Sequence, residues 1–200
     1  MTYLADNIMS RGNLLGAPKS AGAKWAKDLN LPKETEVIFF AGCGYQYASE
    51  LESLMSLIRK VDKSAISTEL TMSLASFQKK LGLDAAGIYR KVMVKSSNPG
   101  AQPLRAAVKV LDNLGVKCGY LAEDEPCCGG LLHHIGLHKE FGRHAQGVYD
   151  RLQSRGVKRI ISIVPSCTYA LRTLIPNSVN GPDLEVRRDF DVRPVNTIGD

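Results

Sequence analysis

Apolar and polar positions along the chain predict an alternation of strands and helices. The run TEVIFFAGC at 35–43 is compact, apolar and rich in β-branched and aromatic residues, which is typical of a buried strand. A second such run, VKRIISIVP, spans 157–165. Between 103 and 114 the apolar residues recur at helical spacing, and we expect Gly115 to end that helix. The other predicted elements are a strand at 116–123, a weak strand near 184–189, helices at 47–61, 136–154 and 167–174, two helices around 66–80 and 84–95, a short helix near 21–29 and a loop at 96–103.

This β-α-β-α-β order predicts an α/β fold with a small open parallel sheet, Rossmann-like and flanked by helices. A helical insertion at about 48–102 follows the first strand, and we expect it to pack against the sheet or a partner subunit. Residues 1–34 are rich in Gly, Pro, Ser and Lys, which predicts an irregular N-terminal arm. Residues 35–200 are then predicted to form a single domain.

The composition is that of a globular protein without a membrane span. The chain has 200 residues, of which 44% are hydrophobic, enough for a substantial core. No apolar run approaches the ~18–20 residues that a membrane-spanning helix needs, and the N-terminus lacks the pattern of a secretory signal. We therefore expect a cytoplasmic protein that would associate with a membrane only through partner subunits.

The positive charge is spread along the chain rather than gathered in one block. The net charge is +6, and basic residues occur in small groups such as Lys24/Lys27 and Arg187/Arg188. Nucleic-acid binding favours a concentrated basic face interleaved with aromatic residues, whereas only 6% of the residues here are aromatic. We expect no nucleic-acid partner, and the basic groups would suit an acidic redox partner instead.

Four of the five cysteines follow predicted strands. Cys43 comes just after the first strand, Cys127 and Cys128 a few residues after the second, and Cys167 just after the third. Because the carboxyl ends of parallel strands meet at one edge of a sheet, we expect these four side chains to converge there. Cys118 lies inside the second predicted strand, where it is expected to be a small buried apolar residue.

Clustered cysteines in a cytoplasmic chain indicate metal or redox chemistry more often than disulfides. Thiolate sulfur is the ligand that holds iron–sulfur clusters or zinc, and both remain open at this stage. Glycines beside the cysteines would let the backbone approach a bulky group. Among the histidines of LLHHIGLHKEFGRH, we expect His133 or His134 to lie nearest the cysteines, as a hydrogen-bonding rather than a metal-binding residue.

The motifs AGC, PCCGG and IVPSCTYALR resemble the cysteine-rich CCG domain of heterodisulfide reductase subunits B and D. The same domain occurs in the iron–sulfur subunits of glycolate and lactate oxidases and in membrane redox complexes of sulfate reducers. The upstream segment RGNLLGAPKSAGAKWAKDL also resembles the segment that precedes this domain in longer members. The resemblance covers roughly 12–175, apart from the insertion at 48–102.

The resemblance implies an iron–sulfur cluster, because members of the family bind one through a single cysteine, the CCG motif and a Cys-x-x-Cys motif. Carried over by position, the implied ligands are Cys43, Cys127, Cys128 and Cys167. The first cysteine of Cys-x-x-Cys falls on Val164, which cannot bind a metal. Four thiolates suffice for an ordinary [4Fe–4S] cluster, whereas the loss of the fifth argues against the non-cubane cluster of heterodisulfide reductase.

Two functional hypotheses follow from the resemblance. The first is an oxidoreductase subunit of a heterodisulfide-reductase-like complex, which transfers electrons from a flavin or iron–sulfur partner and handles a thiol or disulfide substrate. The second is a non-catalytic assembly module of such a complex, either stabilised by zinc or free of metal. Val164 is the residue that favours the second hypothesis.

Overall fold

A computed structural model describes residues 3–62, 98–179 and 191–194 of the chain. Most of these residues are helical, and three short strands form one parallel sheet. The strands are β1 (Val37–Phe39), β2 (Arg159–Ser162) and β3 (Asp191–Pro194). The helices are α1 (Tyr3–Arg11), α2 (Lys19–Ala23), α3 (Cys43–Gln46), α4 (Ala48–Asp62), α5 (Ala101–Asn113), α6 (Gly130–His134), α7 (His138–Ser154), α8 (Pro165–Tyr169) and α9 (Ile175–Ser178). Short 3-10 helices span Lys24–Ala26 and Ala122–Asp124, and a π-helical turn, Ala170–Leu174, joins α8 to α9.

The sheet has the order β1-β2-β3, with β2 in the middle and both pairings parallel. Ile38 is in register with Ile160, and Phe39 with Ile161. Successive side chains of a strand point to opposite faces, so Ile38 and Ile160 enter one core while Phe39 and Ile161 enter another. Both faces of the sheet are therefore apolar and covered, as is usual for parallel strands.

Helices supply the rest of both cores. The core on the Ile38 face includes Phe141, Val148 and Leu152 of α7 together with Ile8 of α1. The core on the Phe39 face is built from α5 and the N-terminal segment, and its main members are Trp25, Leu104, Val108, Leu111 and Tyr120. Cys127, Cys128 and Cys167 belong to the core on the Ile38 face, and Cys43 packs against it.

The structure confirms an α/β arrangement with a small parallel sheet and a majority of helix. The predicted helices at 47–61 and 103–114 are α4 and α5, and the predicted strand at 157–165 is the shorter β2. The predicted helix at 136–154 is α7, preceded by the separate α6. A Rossmann-like classification of the sheet stays a prediction.

The predicted strand at 116–123 is wrong. In this segment only Gly119 pairs with β1, through one parallel bridge to Ile38. A methyl group on Gly119 would lie 2.2 Å from the carbonyl oxygen of Pro32, which also accepts a hydrogen bond from the N–H of Tyr120. The loop at Pro32 thus occupies the outer edge, and the chain turns at once into the 3-10 helix Ala122–Asp124.

The N-terminal arm is more helical than predicted. Residues Tyr3–Arg11 form α1, and its Ala5 and Ile8 are fully buried on one helical face. The short helix expected near 21–29 is α2 with the 3-10 turn that follows it. The boundary between residues 34 and 35 stays a prediction, since the domain division is not tested by these contacts.

The loop predicted at 96–103 ends early, because α5 begins at Ala101. Pro103 lies in the first turn of that helix, where the absence of an N–H costs no intrahelical hydrogen bond. The helices predicted around 66–80 and 84–95, which form most of the expected insertion, and the strand near 184–189 lie outside the described residues. Across the three described ranges, no helix combines the length and apolar character required to cross a bilayer.

Candidate metal centre

Four cysteines from three loops meet at the carboxyl ends of the strands. The Sγ atoms of Cys43 and Cys127 are 3.6 Å apart, and those of Cys128 and Cys167 are 3.3 Å apart. All four thiols are free, and all except Cys43, which is partly exposed, are buried. The structure thus brings together the four cysteines that the sequence singled out.

Each of the three loops contains a glycine or a proline at a position whose backbone conformation favours that residue. Gly42, which precedes Cys43, has φ of +71°, and a side chain there would lie 3.0 Å from the sulfur of Cys167. Gly129 follows the paired cysteines with φ of +72°, and its N–H lies 3.5 Å from the Cys127 sulfur. Pro165 opens α8, which places Cys167 in the first turn after β2.

Three of the four thiols differ in acidity because they contact one another. Hydrogen bonds from the thiols of Cys127 and Cys167 lower the pKa of Cys128 well below its ordinary value. The same contact with Cys128 raises the pKa values of Cys127 and Cys167. Among these three thiols, Cys128 is therefore the most acidic.

Glu125 is a buried carboxylate beside the cysteines. Its two oxygens accept hydrogen bonds of 2.9 Å from the backbone N–H groups of Ala41 and Gly42, and one of 2.7 Å from the Gln46 amide. Burial raises the pKa of Glu125 to about 8, although the N–H groups of Ala41 and Gly42 act to lower it. The Gln46 amide also donates to the hydroxyl of Tyr120 at 2.9 Å, which extends the network away from the sulfurs.

The far end of α3 is fixed by Asn98. Its side-chain amide donates hydrogen bonds to the carbonyl oxygens of Tyr45 at 3.0 Å and Gln46 at 2.8 Å. These carbonyls lie at the end of a short helix and would otherwise need solvent. The turn that begins at Cys43 is therefore held by Glu125 on one side and Asn98 on the other.

His144 is the histidine that contacts the cysteine loop, so the expectation of His133 or His134 is wrong. Nε2 of His144 lies 2.7 Å from the carbonyl oxygen of Cys127, and because a carbonyl can only accept, this nitrogen carries the hydrogen. The ring of His133 instead packs against His138 and Phe141, and His134 is exposed. His144 comes from the interior of α7, one turn beyond Phe141, a position that the histidine-rich stretch itself does not distinguish.

Cys118 lies apart from the other four cysteines. It is buried in the core on the Phe39 face, with Trp25 and Tyr120. Burial raises the pKa of its thiol to about 11, so it stays protonated at neutral pH. The prediction of a structural, apolar role is confirmed, although the segment that carries Cys118 is not a strand.

Val164 occupies the place next to the sulfur site where the family pattern has a cysteine. Its side chain is buried, and both its Cγ2 and the sulfur of Cys167 lie within 3.2 Å of the point where a Gly42 side chain would begin. An isopropyl group therefore fills the space beside Cys167 and offers no metal ligand.

The four thiols are the right chemical groups to bind a metal, but their positions do not form a complete coordination site. Within the described part of the chain, no three His, Cys, Asp or Glu side chains are arranged to hold a metal ion. The sulfurs form a row of contacts, 43 with 127, 127 with 128, and 128 with 167. Four free thiols with an N–H donor beside them are nevertheless the groups that bind iron–sulfur clusters and zinc.

A small parallel sheet whose loops gather four cysteines defines a cysteine-rich α/β protein with a metal- or redox-related role. Residues 93–172 match the family model described as the CCG cysteine-rich domain. The match includes Cys127, Cys128 and Cys167, whereas Cys43 lies outside it. No curated protein and no solved structure matched the chain at the significance threshold used. The resemblance over residues 12–47 therefore stays a prediction.

Three residues of the site escape detection in the sequence. Glu125 directly precedes the Pro-Cys-Cys motif in a glycine-rich stretch, where a carboxylate normally faces solvent. Gln46 lies three residues after Cys43, and His144 ends the stretch LLHHIGLHKEFGRH, but the residue pattern around each does not mark it as part of the site. Only the proximity of Glu125 to the paired cysteines could have drawn attention to it.

Proposed function

We propose that this chain is the iron–sulfur subunit of a heterodisulfide-reductase-like redox complex and acts as an oxidoreductase component. The observation that carries the proposal is the meeting of four free cysteines from three loops, three of them in the region that matches the CCG cysteine-rich domain. The resemblance of AGC and IVPSCTYALR to the heterodisulfide reductase motifs supports the assignment to this class of complex. We also propose that the protein is cytoplasmic and that any attachment to a membrane is made through partner subunits.

Cys43, Cys127, Cys128 and Cys167 would hold the metal centre, with an ordinary [4Fe–4S] cluster as the expected group. When bound, such a cluster supplies one-electron transfer at a potential set by its surroundings. Burial of three of the cysteines keeps water from the sulfurs, and the Gly129 N–H beside Cys127 offers a donor to sulfur. Both features are means by which a protein tunes such a centre.

A thiol or disulfide substrate would approach from the side of Cys43. This cysteine is partly exposed, whereas the sulfurs of Cys127, Cys128 and Cys167 are buried behind it. Gly44 is next to Cys43, and no atom of the described residues comes within 4 Å of the position that a side chain on Gly44 would take. The described part of the chain therefore leaves room at one edge of the sulfur site, where a substrate sulfur could come close.

An electron-donating partner with an acidic surface is supported by a cavity that is lined by three lysines and one glutamate. The cavity has a volume of about 330 Å³ and is lined by Lys24, Lys27 and Lys33, of which Lys33 forms an ion pair with Glu123. Tyr120 lines it and is linked through Gln46 to Glu125. Complementary charge of this kind raises association rates and weakens with salt, so binding of an acidic flavin or iron–sulfur protein should fall as salt rises.

The zinc-bound assembly module is the second candidate. Four thiolates around one zinc at ~2.3 Å would place neighbouring sulfurs roughly 3.8 Å apart, close to the 3.6 Å between Cys43 and Cys127. Val164 also removes the fifth cysteine of the family pattern. In this case the metal would stabilise the loops, and the chain would serve assembly rather than electron transfer.

Metal analysis of the anaerobically purified full chain decides between the candidates. The first predicts a brown protein with ~4 Fe and matching sulfide per chain and an EPR signal after reduction or oxidation. Cys128→Ser should lose most of the iron, and Cys118→Ala, the matched control away from the site, should keep it. A colourless protein with one zinc per chain would overturn the first candidate and support the second.

A further inference from the structure

Glu125 joins two of the loops that carry the cysteines. Its carboxylate accepts hydrogen bonds of 2.9 Å from the N–H groups of Ala41 and Gly42, immediately before Cys43. Glu125 itself lies two residues before Cys127. The link therefore bridges residues 83 and 84 positions apart in sequence, beside the point where the sulfurs of Cys43 and Cys127 lie 3.6 Å apart.

The hydrogen bonds to Glu125 begin where those of the sheet end. Phe39 donates its N–H to Gly119, and Phe40 donates to Ile161 at 2.7 Å. The next two N–H groups, those of Ala41 and Gly42, point to Glu125 instead. The carboxylate thus takes the place of a neighbouring strand for the two residues that lead the chain from β1 to Cys43.

A carboxylate suits this place because both of its oxygens face donors. One oxygen accepts from Ala41, and the other accepts from Gly42 and from the Gln46 amide at 2.7 Å. The residue is only 7% exposed, so water cannot replace these contacts freely. A glutamine of the same shape would turn one oxygen into an N–H₂ group that faces a donor.

The geometry points to Glu125 as the positioning residue that sets the approach of Cys43 to Cys127, and we propose this role for it. A role for Glu125 in shaping a metal centre rests on the proposed function. Its role in positioning the thiols of Cys43 and Cys127 does not depend on a metal, so it can be tested on metal-free protein.

The second pair of cysteines provides an internal control. Cys167 lies on the loop after β2, and among the described residues the hydrogen bonds of Glu125 go to the Cys43 loop and to Gln46. Glu125 acts on Cys167 only through its charge, which raises the pKa of that thiol. A change at Glu125 that acts by positioning should therefore slow the pair Cys43–Cys127 and should not slow the pair Cys128–Cys167. A change that merely loosens the whole fold would alter both.

The experiment measures disulfide formation in the reduced, metal-free full chain. One background carries C118A, C128S and C167S and keeps Cys43 and Cys127; the other carries C43S, C118A and C127S and keeps Cys128 and Cys167. Diamide oxidises the two thiols to one disulfide and takes up their two electrons and two protons as it is reduced to the hydrazine. Mass spectrometry after quenching gives the rate for each pair, with and without E125Q.

We expect E125Q to slow the Cys43–Cys127 disulfide about tenfold or more and not to slow the Cys128–Cys167 disulfide, because loss of the Glu125 charge lowers the pKa of Cys167. E123Q, a matched change at an exposed glutamate two residues earlier, should leave both rates unchanged. Equal rates in E125Q and its parent, or an equal fall in both pairs, would overturn the proposal.

If E125Q does not fold by circular dichroism, Q46M decides the question, because it removes one donor to the carboxylate and keeps the volume of the side chain. It should slow the Cys43–Cys127 disulfide about threefold and spare the other pair; an unchanged rate overturns the proposal. If metal analysis finds no iron, the proposed function fails, but the disulfide rates of the metal-free chain are unaffected. The failure of the proposed function and the failure of this proposal are therefore distinguishable.

Discussion

His144 donates a hydrogen bond of 2.7 Å from Nε2 to the carbonyl oxygen of Cys127, seventeen residues earlier in the chain. The histidine lies on α7 and the cysteine on the loop that precedes α6. This contact fixes the paired-cysteine turn to the helix that carries much of the core on the Ile38 face. The turn is therefore held by the fold as well as by its own glycines.

Replacing His144 should lower the unfolding free energy, because the hydrogen-bond donor to the carbonyl of Cys127 is lost. H144L leaves the carbonyl of buried Cys127 without its partner, which costs about 1–3 kcal/mol of unfolding free energy. H144Q keeps an N–H group at a similar reach and should recover much of the loss. Urea unfolding of the reduced, metal-free chain measures both variants. Equal stability of H144L and the parent chain would show that the hydrogen bond contributes nothing.

Replacing Gly129 by alanine should be more damaging than an ordinary glycine change. At φ of +72° an alanine is strained by about 1–2 kcal/mol, and its methyl group would lie 2.4 Å from Cδ2 of His144. We expect G129A to lower the unfolding free energy by about 2 kcal/mol or more and to reduce metal content.

Gly147 supplies the matched control for that variant. It lies inside α7, and among residues 3–62, 98–179 and 191–194 no neighbour comes within 4 Å of the position that a methyl group would take. G147A should raise stability by about 0.5–1 kcal/mol, because alanine is the better residue in a helix interior. If G129A and G147A behave alike in thermal unfolding, the special conformation of Gly129 is not what matters.

Cys118 should resist alkylation in the folded protein. A pKa of about 11 instead of 9.0 lowers the reactive thiolate at pH 8 roughly a hundredfold, and burial slows the reaction further. Iodoacetamide labelling followed by peptide mapping should find Cys118 unmodified until the chain is unfolded in urea. Fast labelling of Cys118 in the native protein would contradict its buried placement.

The raised pKa of Cys118 also sets the sign of a pH effect. The folded state holds this proton between pH 9 and about 11, where the unfolded state loses it. The contribution of Cys118 to stability is therefore complete below pH 9 and is lost as the pH rises toward 11. C118A should show a smaller fall in unfolding free energy over this window than the parent chain does, and identical slopes would refute the assignment.

Substituting cysteine for Val164 should add a ligand to the sulfur site. The side chain at 164 shares the space beside Gly42 with the sulfur of Cys167, so a thiol there would stand next to the proposed centre. In the metal-loaded protein we expect the thiol introduced by V164C to be protected from alkylation and the EPR spectrum to differ from that of the parent. V164A, the control without a thiol, should keep the parent spectrum. Ready alkylation of residue 164 in loaded V164C would show that the thiol stays outside the centre.

The order of the chain was enough to predict that Cys43 and Cys167 meet. Cys127 and Cys128 were placed from a strand at 116–123 that does not form, and a single bridge at Gly119 keeps their segment beside β1. Cys43 and Cys167 each follow a short apolar run, and parallel strands place their carboxyl ends at one edge whatever the details of packing. The same periodicity predicted α4, α5 and β2, because apolar spacing reports which side of an element faces a core.

The local pattern of apolar residues did not predict correctly the segment at 116–123 or the helix α1. At Gly119 the outer edge is taken by the carbonyl of Pro32, a contact between segments that periodicity does not encode. α1 is short, and burial of Ala5 and Ile8 against the rest of the fold stabilises it more than helix propensity does.

Packing alone decided how the sulfurs pair and what holds them. Cys43 lies against Cys127 and Cys128 against Cys167, although the adjacent cysteines of the motif are equivalent in the sequence. Glu125 reaches the Cys43 loop, and His144 reaches the carbonyl of Cys127, because burial leaves these polar groups no water to bind. Hydrogen bonds between residues far apart in sequence depend on distance and desolvation in the folded chain, and no spacing of residue types along the chain reports either one.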